Sequence, residues 1–106
     1  MNELIQELHD IEMIKQLKHR YFRAIDMADH GLLDSVFTDD ITVDYRGGTY
    51  VWEASGKQEI IQSLKYSFHS ETAAMHTGHH PEISIHDDVN ASGIWYLQDI
   101  FYNFKE

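Results

Sequence analysis

The sequence predicts an α+β domain with the element order ααββαββ, and three observations carry that prediction. Apolar residues recur every three or four positions through the first quarter of the chain. They alternate with polar residues on either side of Gly47-Gly48, and two long strand-like segments flank the polar turn "DDVN" at 87–90. Helices before and between two hairpins can cover one face of a curved antiparallel sheet.

Leu4, Leu8, Ile11, Ile14, Leu17, Tyr21 and Ile25 form one stripe on a helix over about 3–27. The segment 29–37 reads as a short second helix with Asp29 as its N-cap, ended by the turn residues Thr38-Asp39-Asp40. Over 41–55, Ile41, Val43 and Tyr45 alternate with Thr42, Asp44 and Arg46, and Gly47-Gly48 suits a tight hairpin turn. Ser55 and Gln58 match a capping box ahead of a third helix over about 56–69, with Ile61, Leu64 and Phe68 at helical spacing. Two strands then pair as a second hairpin, with Pro81 placed at an edge or bulge because it has no N–H to give to a ladder. The chain shows no repeat, linker or low-complexity segment, so residues 1–106 read as a single domain.

A chain of 106 residues is large enough to bury about 65% of its unfolded surface around one core, and too small for two. Hydrophobic residues make up 42% and charged residues 25%, with thirteen aromatics, a composition that folds. The formal net charge of −10 repels phosphate backbones and anionic lipid, so neither nucleic acid nor membrane is expected as a partner. Without cysteine there are no disulfides and no thiolate metal sites. Acids at Glu3 and Glu7 stand where a secretory signal needs bases, and no window reaches the ~18 apolar residues of a membrane span. A cytoplasmic protein is expected.

Four of the eight histidines, His76, His79, His80 and His86, fall within eleven positions. A metal site needs three donors converging on one ion, but Gly78 and Pro81 favour extended chain, where residues 76, 78 and 80 point one way and 79 the other. One imidazole on the inner side of a strand suits proton transfer near neutrality, and the remaining reading is a polar strand. On the last strand Trp95, Leu97, Asp99 and Phe101 share a face, which puts a carboxylate in an apolar row. That aspartate is either a desolvated acid or a surface charge. Tyr21 ends the apolar stripe, and Asp26, five residues on, lies about 140° around the helix axis. Composition leaves their pairing open.

The segments "IKQLKHRYFRAIDMADHGLLDSVFTDDITVDY", "GKQEIIQSL", "MHTGHHPEI" and "ASGIWYLQD" resemble the SnoaL-like branch of the nuclear transport factor 2-like superfamily. Within it they look most like the bile acid 7α-dehydratase group. The resemblance covers about residues 10–102. It implies a cone-shaped fold in which helices and a curved sheet enclose an apolar pocket for a polycyclic or polyketide-like hydroxy ketone. Carried over by position, Tyr21 would bind a substrate carbonyl or enolate oxygen and His76 would move the proton. Asp26 would orient His76, and Asp99 would assist at the leaving hydroxyl. Tyr45, Trp52, Trp95, Leu97 and Phe101 would contact the substrate. The implied activity is dehydration by general acid-base catalysis without metal or organic cofactor. The alternatives are a non-catalytic binding or oligomerisation module and a ketosteroid isomerase or polyketide cyclase. Relatives continue for a further pair of strands that help close the cone, so an incomplete C-terminal side and a homodimer or higher homo-oligomer are also expected.

Overall fold

The three-four spacing produces one long helix, α1 (Asn2–Asp26). Full burial is confined to its last two turns, at Phe22, Ala24 and Ile25. Leu4 and Leu8, on the stripe that the sequence assigns to the core, are more than half exposed because no other element packs beside the first turns. The projecting helix and a long hairpin give a radius of gyration of 15.4 Å, against about 13 Å for a compact chain of this length. The computed structural model describes residues 1–104.

The end of α1 is fixed by backbone geometry. Ala28 takes a φ of 52°, Asp29 N–H donates to the Ala24 carbonyl at 2.8 Å, and Ala28 N–H donates to the Ile25 carbonyl at 3.0 Å. This is a Schellman end with alanine in the position glycine usually fills. Asp29 then caps α2 (His30–Val36), its Oδ1 accepting from Leu32 N–H at 3.1 Å, as the sequence predicts.

Strands β1 (Thr42–Gly47) and β2 (Tyr50–Ser55) pair antiparallel with Tyr45 opposite Trp52. The two turn residues are Gly48-Thr49, one position later than expected, with Gly48 supplying the positive φ of 58°. The expected capping box does not form. Ser55 stays in the ladder opposite Thr42, and Gly56, at φ 91°, becomes the N-cap of α3 (Lys57–Ser67) without a side-chain hydrogen bond. Gly56 N–H instead donates to the Ile41 carbonyl at 2.7 Å, tying the helix start to the strand entrance. Ala24, Ile25, Leu33, Ala54, Ile60, Ile61 and Leu64 form the core between the end of α1, α2, α3 and β2.

Strands β3 (Thr72–Ile85) and β4 (Ala91–Asn103) form the second hairpin, packed through β3 on α1. Between the pairs His79–Tyr96 and Glu82–Ile94, His80 and Pro81 oppose Trp95 alone, and His80 has a φ of 52°. This is the bulge that proline demands. The two hairpins are separate two-stranded sheets, where the sequence reading expects one curved sheet; no ladder joins them among the described residues. Among those residues no helix is long and apolar enough to cross a membrane.

Two glycines seat Trp95 and Phe22. A Cβ on Gly93 would collide with the benzo ring of Trp95, and one on Gly78 would sit 2.6 Å from Cε2 of Phe22 and 3.6 Å from Cδ1 of Trp95. The indole therefore lies flat across the hairpin from Gly93 toward Gly78. Gly78→Ala should lower stability by about 1–3 kcal/mol through overpacking against buried Phe22. Urea unfolding checks this, and an unchanged midpoint would contradict the packing.

Candidate functional site

Between α1, α2, α3, the first hairpin and Trp95 lies an apolar chamber of about 310 Å³, at the small end of the range of ligand sites. Leu17 and Tyr21 of α1, Phe37 after α2, Val43 and Tyr45 of β1, and Trp52 of β2 contribute to its wall. Its main polar feature is a pair of phenols, with the Tyr21 and Tyr45 hydroxyls 2.9 Å apart. The Tyr45 ring packs edge-on against Trp52, centroids 4.9 Å apart at 84°. Burial, and then the neighbouring Tyr45, hold the Tyr21 hydroxyl well above its ordinary pKa. Tyr21 is thus a neutral hydrogen-bonding phenol at any physiological pH. In such a pair one hydroxyl donates to the other, and the acceptor keeps its own proton for a ligand oxygen.

Asp26 and His76 form a second polar unit. The Schellman end stops α1 at Asp26, whose Oδ1 lies 2.6 Å from His76 Nδ1 while Oδ2 accepts from the His76 backbone N–H at 3.1 Å. A carboxylate only accepts, so Nδ1 carries the proton that Asp26 accepts, and Nε2 makes no contact with that carboxylate. Nε2 lies 3.9 Å from Asp99 Oδ2, beyond hydrogen-bond length. The imidazole is largely buried, with 10% of its side chain exposed. It stacks at 6° on Phe22, centroids 6.1 Å apart, and meets the edge of Phe68 at 5.7 Å. Phe68 is itself anchored by His30, whose Nε2–H donates to its carbonyl at 3.0 Å.

Tyr21, Tyr45, Trp52 and Trp95 line the chamber together. Asp26 and His76 stand beside it in a shallower depression with Phe22, whose ring is also 5.6 Å from that of Tyr21. Phe22 therefore stands between the two polar units. Register places His76 opposite Asp99, Gly78 opposite Leu97 and Ala74 opposite Phe101, all on the α1-facing side of the hairpin. α1 covers the β3 half of that side and leaves the β4 half open. Hence the Asp99 side chain is 58% exposed, a charge at an open face and not a carboxyl sealed in an apolar row. Leu97 and Phe101, expected as substrate contacts, are about half exposed and lie outside the chamber wall; Phe101 touches Phe68 instead.

The other histidines have their own surroundings. His86 Nε2 is 2.9 Å from Ser92 Oγ, and the His80 ring lies edge-on to Tyr96. Among the described residues no three histidine or carboxylate groups converge as a metal cage. Sequence reasoning passes over Phe22 and Lys18 and reads Phe68 only as a helix residue. Lys18 precedes Tyr21 by three residues, so helical spacing alone puts both on one face. Its Nζ lies 5.0 Å from the ring centre of Tyr21. A family model described as the SnoaL-like domain matches residues 6–106, and with this fold and this pairing of phenols with an Asp-His unit, the chain belongs to the SnoaL-like family of the nuclear transport factor 2-like superfamily.

Proposed function

We propose that the chain is a cofactor-independent dehydratase for a hydroxylated polycyclic or polyketide-like ketone, related in activity to the bile acid 7α-dehydratase group. The observation that carries this reading is the pair of hydrogen bonds that Asp26 accepts from His76, which leaves Nε2 free beside an apolar chamber holding two phenols.

In this reading the ligand carbonyl accepts a proton-sharing hydrogen bond from the Tyr21–Tyr45 pair. His76 Nε2 removes a proton from the carbon made acidic by that carbonyl, and the electron pair moves onto the carbonyl oxygen, where the phenols stabilise the enolate. The enolate then collapses, the carbon–oxygen bond to the hydroxyl breaks, and the imidazolium returns its proton to the departing oxygen as water. Asp26, and Asp99 across from Nε2, support the positive ring between those steps.

The test follows ultraviolet absorbance of a 7-hydroxy-3-oxo-4-ene steroid for growth of the conjugated dienone. Growth that saturates with substrate is expected. Saturable binding without any absorbance change would favour a second reading, a binding module of the same fold, which the half-exposed Leu97 and Phe101 support.

A homodimer belongs to the same proposal. Ile94, Tyr96, Ile100 and Tyr102 make an apolar row on the outer side of β4, each more than half exposed, and such rows are characteristic of contact surfaces. X-ray scattering across a concentration series should give twice the monomer mass, and Ile100→Lys should return it to the monomer. A monomer at every concentration would refute the dimer.

A further inference from the structure

Among the described residues Lys18 is the one basic side chain on the chamber wall, and its surroundings are unusual for a lysine. Its Nζ lies 5.0 Å from the ring centre of Tyr21, 5.2 Å from that of Phe22 and 5.4 Å from that of Trp95. Ring faces attract a cation but supply no hydrogen-bond acceptor of the strength of a carboxylate. Among the described residues none of the chain's abundant acids forms an ion pair with Lys18, although Lys57 has two such partners. Trp95, which lines the same wall, has its Nε1 buried with no hydrogen-bond partner among the described residues. An ammonium on an apolar wall, held among ring faces and without an ion-pair partner among the described residues, is a place for a ligand acceptor. Burial also pulls the Lys18 ammonium below its ordinary pKa, a cost that a bound anion would offset.

We propose that Lys18 is the anion-recognising end of the chamber and selects hydrophobic ligands that carry a single carboxylate. The apolar wall takes the ring system and Lys18 Nζ takes the carboxylate. One ammonium balances one negative charge. A phosphate dianion in a protein of net charge −10 would be left under-compensated, which disfavours phosphorylated ligands. The proposal rests on the reading of the chamber as a ligand site, and it uses no step of the dehydration.

Calorimetric titration with 2-naphthoate and with its methyl ester tests it, on wild type, Lys18→Met and Lys18→Arg at low and high salt. Wild type should bind the acid about tenfold more tightly than the ester, with the preference shrinking as salt rises. Lys18→Met should bind acid and ester alike at the wild-type ester affinity, and Lys18→Arg should keep the preference. If wild type binds the ester as tightly as the acid, or Lys18→Met still prefers the acid, the anion site is overturned while the chamber stands. If neither probe binds wild type, the chamber reading and the anion site fall together. The wild-type comparison of the two probes needs no variant to fold.

Discussion

His76→Ala should lower turnover of the hydroxy ketone by about 10²–10⁴-fold, the range that a positioned general base contributes. The loss should appear in kcat with KM little changed, because in the proposed mechanism the ring moves the proton while the chamber and the phenols hold the ligand. The fold should survive. Asp26 still accepts from the backbone N–H of residue 76, whatever side chain stands there. The space left between Phe22 and Phe68 should cost some stability, so activity is compared at a temperature where circular dichroism shows both proteins folded. Asp26→Asn separates positioning from chemistry. It keeps the side-chain shape, but its amide nitrogen cannot accept from the two donors of residue 76. Its kcat should fall less than that of His76→Ala. A His76→Ala protein that turns over at the wild-type rate would remove His76 from the mechanism.

Leu33→Ala should be the most damaging single truncation of the core, costing about 2–5 kcal/mol. Leu33 is fully buried in a core of few residues and does not border the chamber, so its deletion leaves a sealed void. Ile60 is equally buried but also lines the chamber, so Ile60→Ala enlarges an existing cavity and should cost less. Small domains have only about 5–15 kcal/mol of stability in total, and the difference between the two variants should be plain in urea unfolding. Equal losses would mean that the chamber and the core are not separate spaces.

Much of this was legible in the residues, for reasons that can be named. Local signals announced the helix stripe, the Asp29 cap and the Pro81 bulge, because each depends on near neighbours in the chain. The capping box at Ser55 failed because a tertiary constraint won: Ser55 is held in the ladder by Thr42, and Gly56 takes the turn. The exposure of Leu4 and Leu8 escaped prediction for a related reason, since periodicity tells which side of a helix is apolar and not how far a neighbour extends along it. At the site, Asp26 and Tyr21 point to different sides of α1, as the helical wheel requires, and they border separate cavities with Phe22 between them. Pattern could not tell which side of β4 is covered, and so left Asp99 open between buried acid and surface charge. Lys18 was overlooked because a lysine in a helix rich in polar residues reads as a solvated charge, whereas here three aromatic rings surround it.

The most direct test of the central claim, that His76 moves a proton at the carbon activated by a carbonyl held at Tyr21, is exchange of that proton with solvent. A ketone that lacks the leaving hydroxyl is incubated with the protein in deuterium oxide and read by proton NMR. The account predicts loss of the signal at the activated carbon with wild type, abolished by His76→Ala and strongly slowed by Tyr21→Phe. Saturable binding of the ketone to wild type with no exchange beyond the protein-free rate would contradict it.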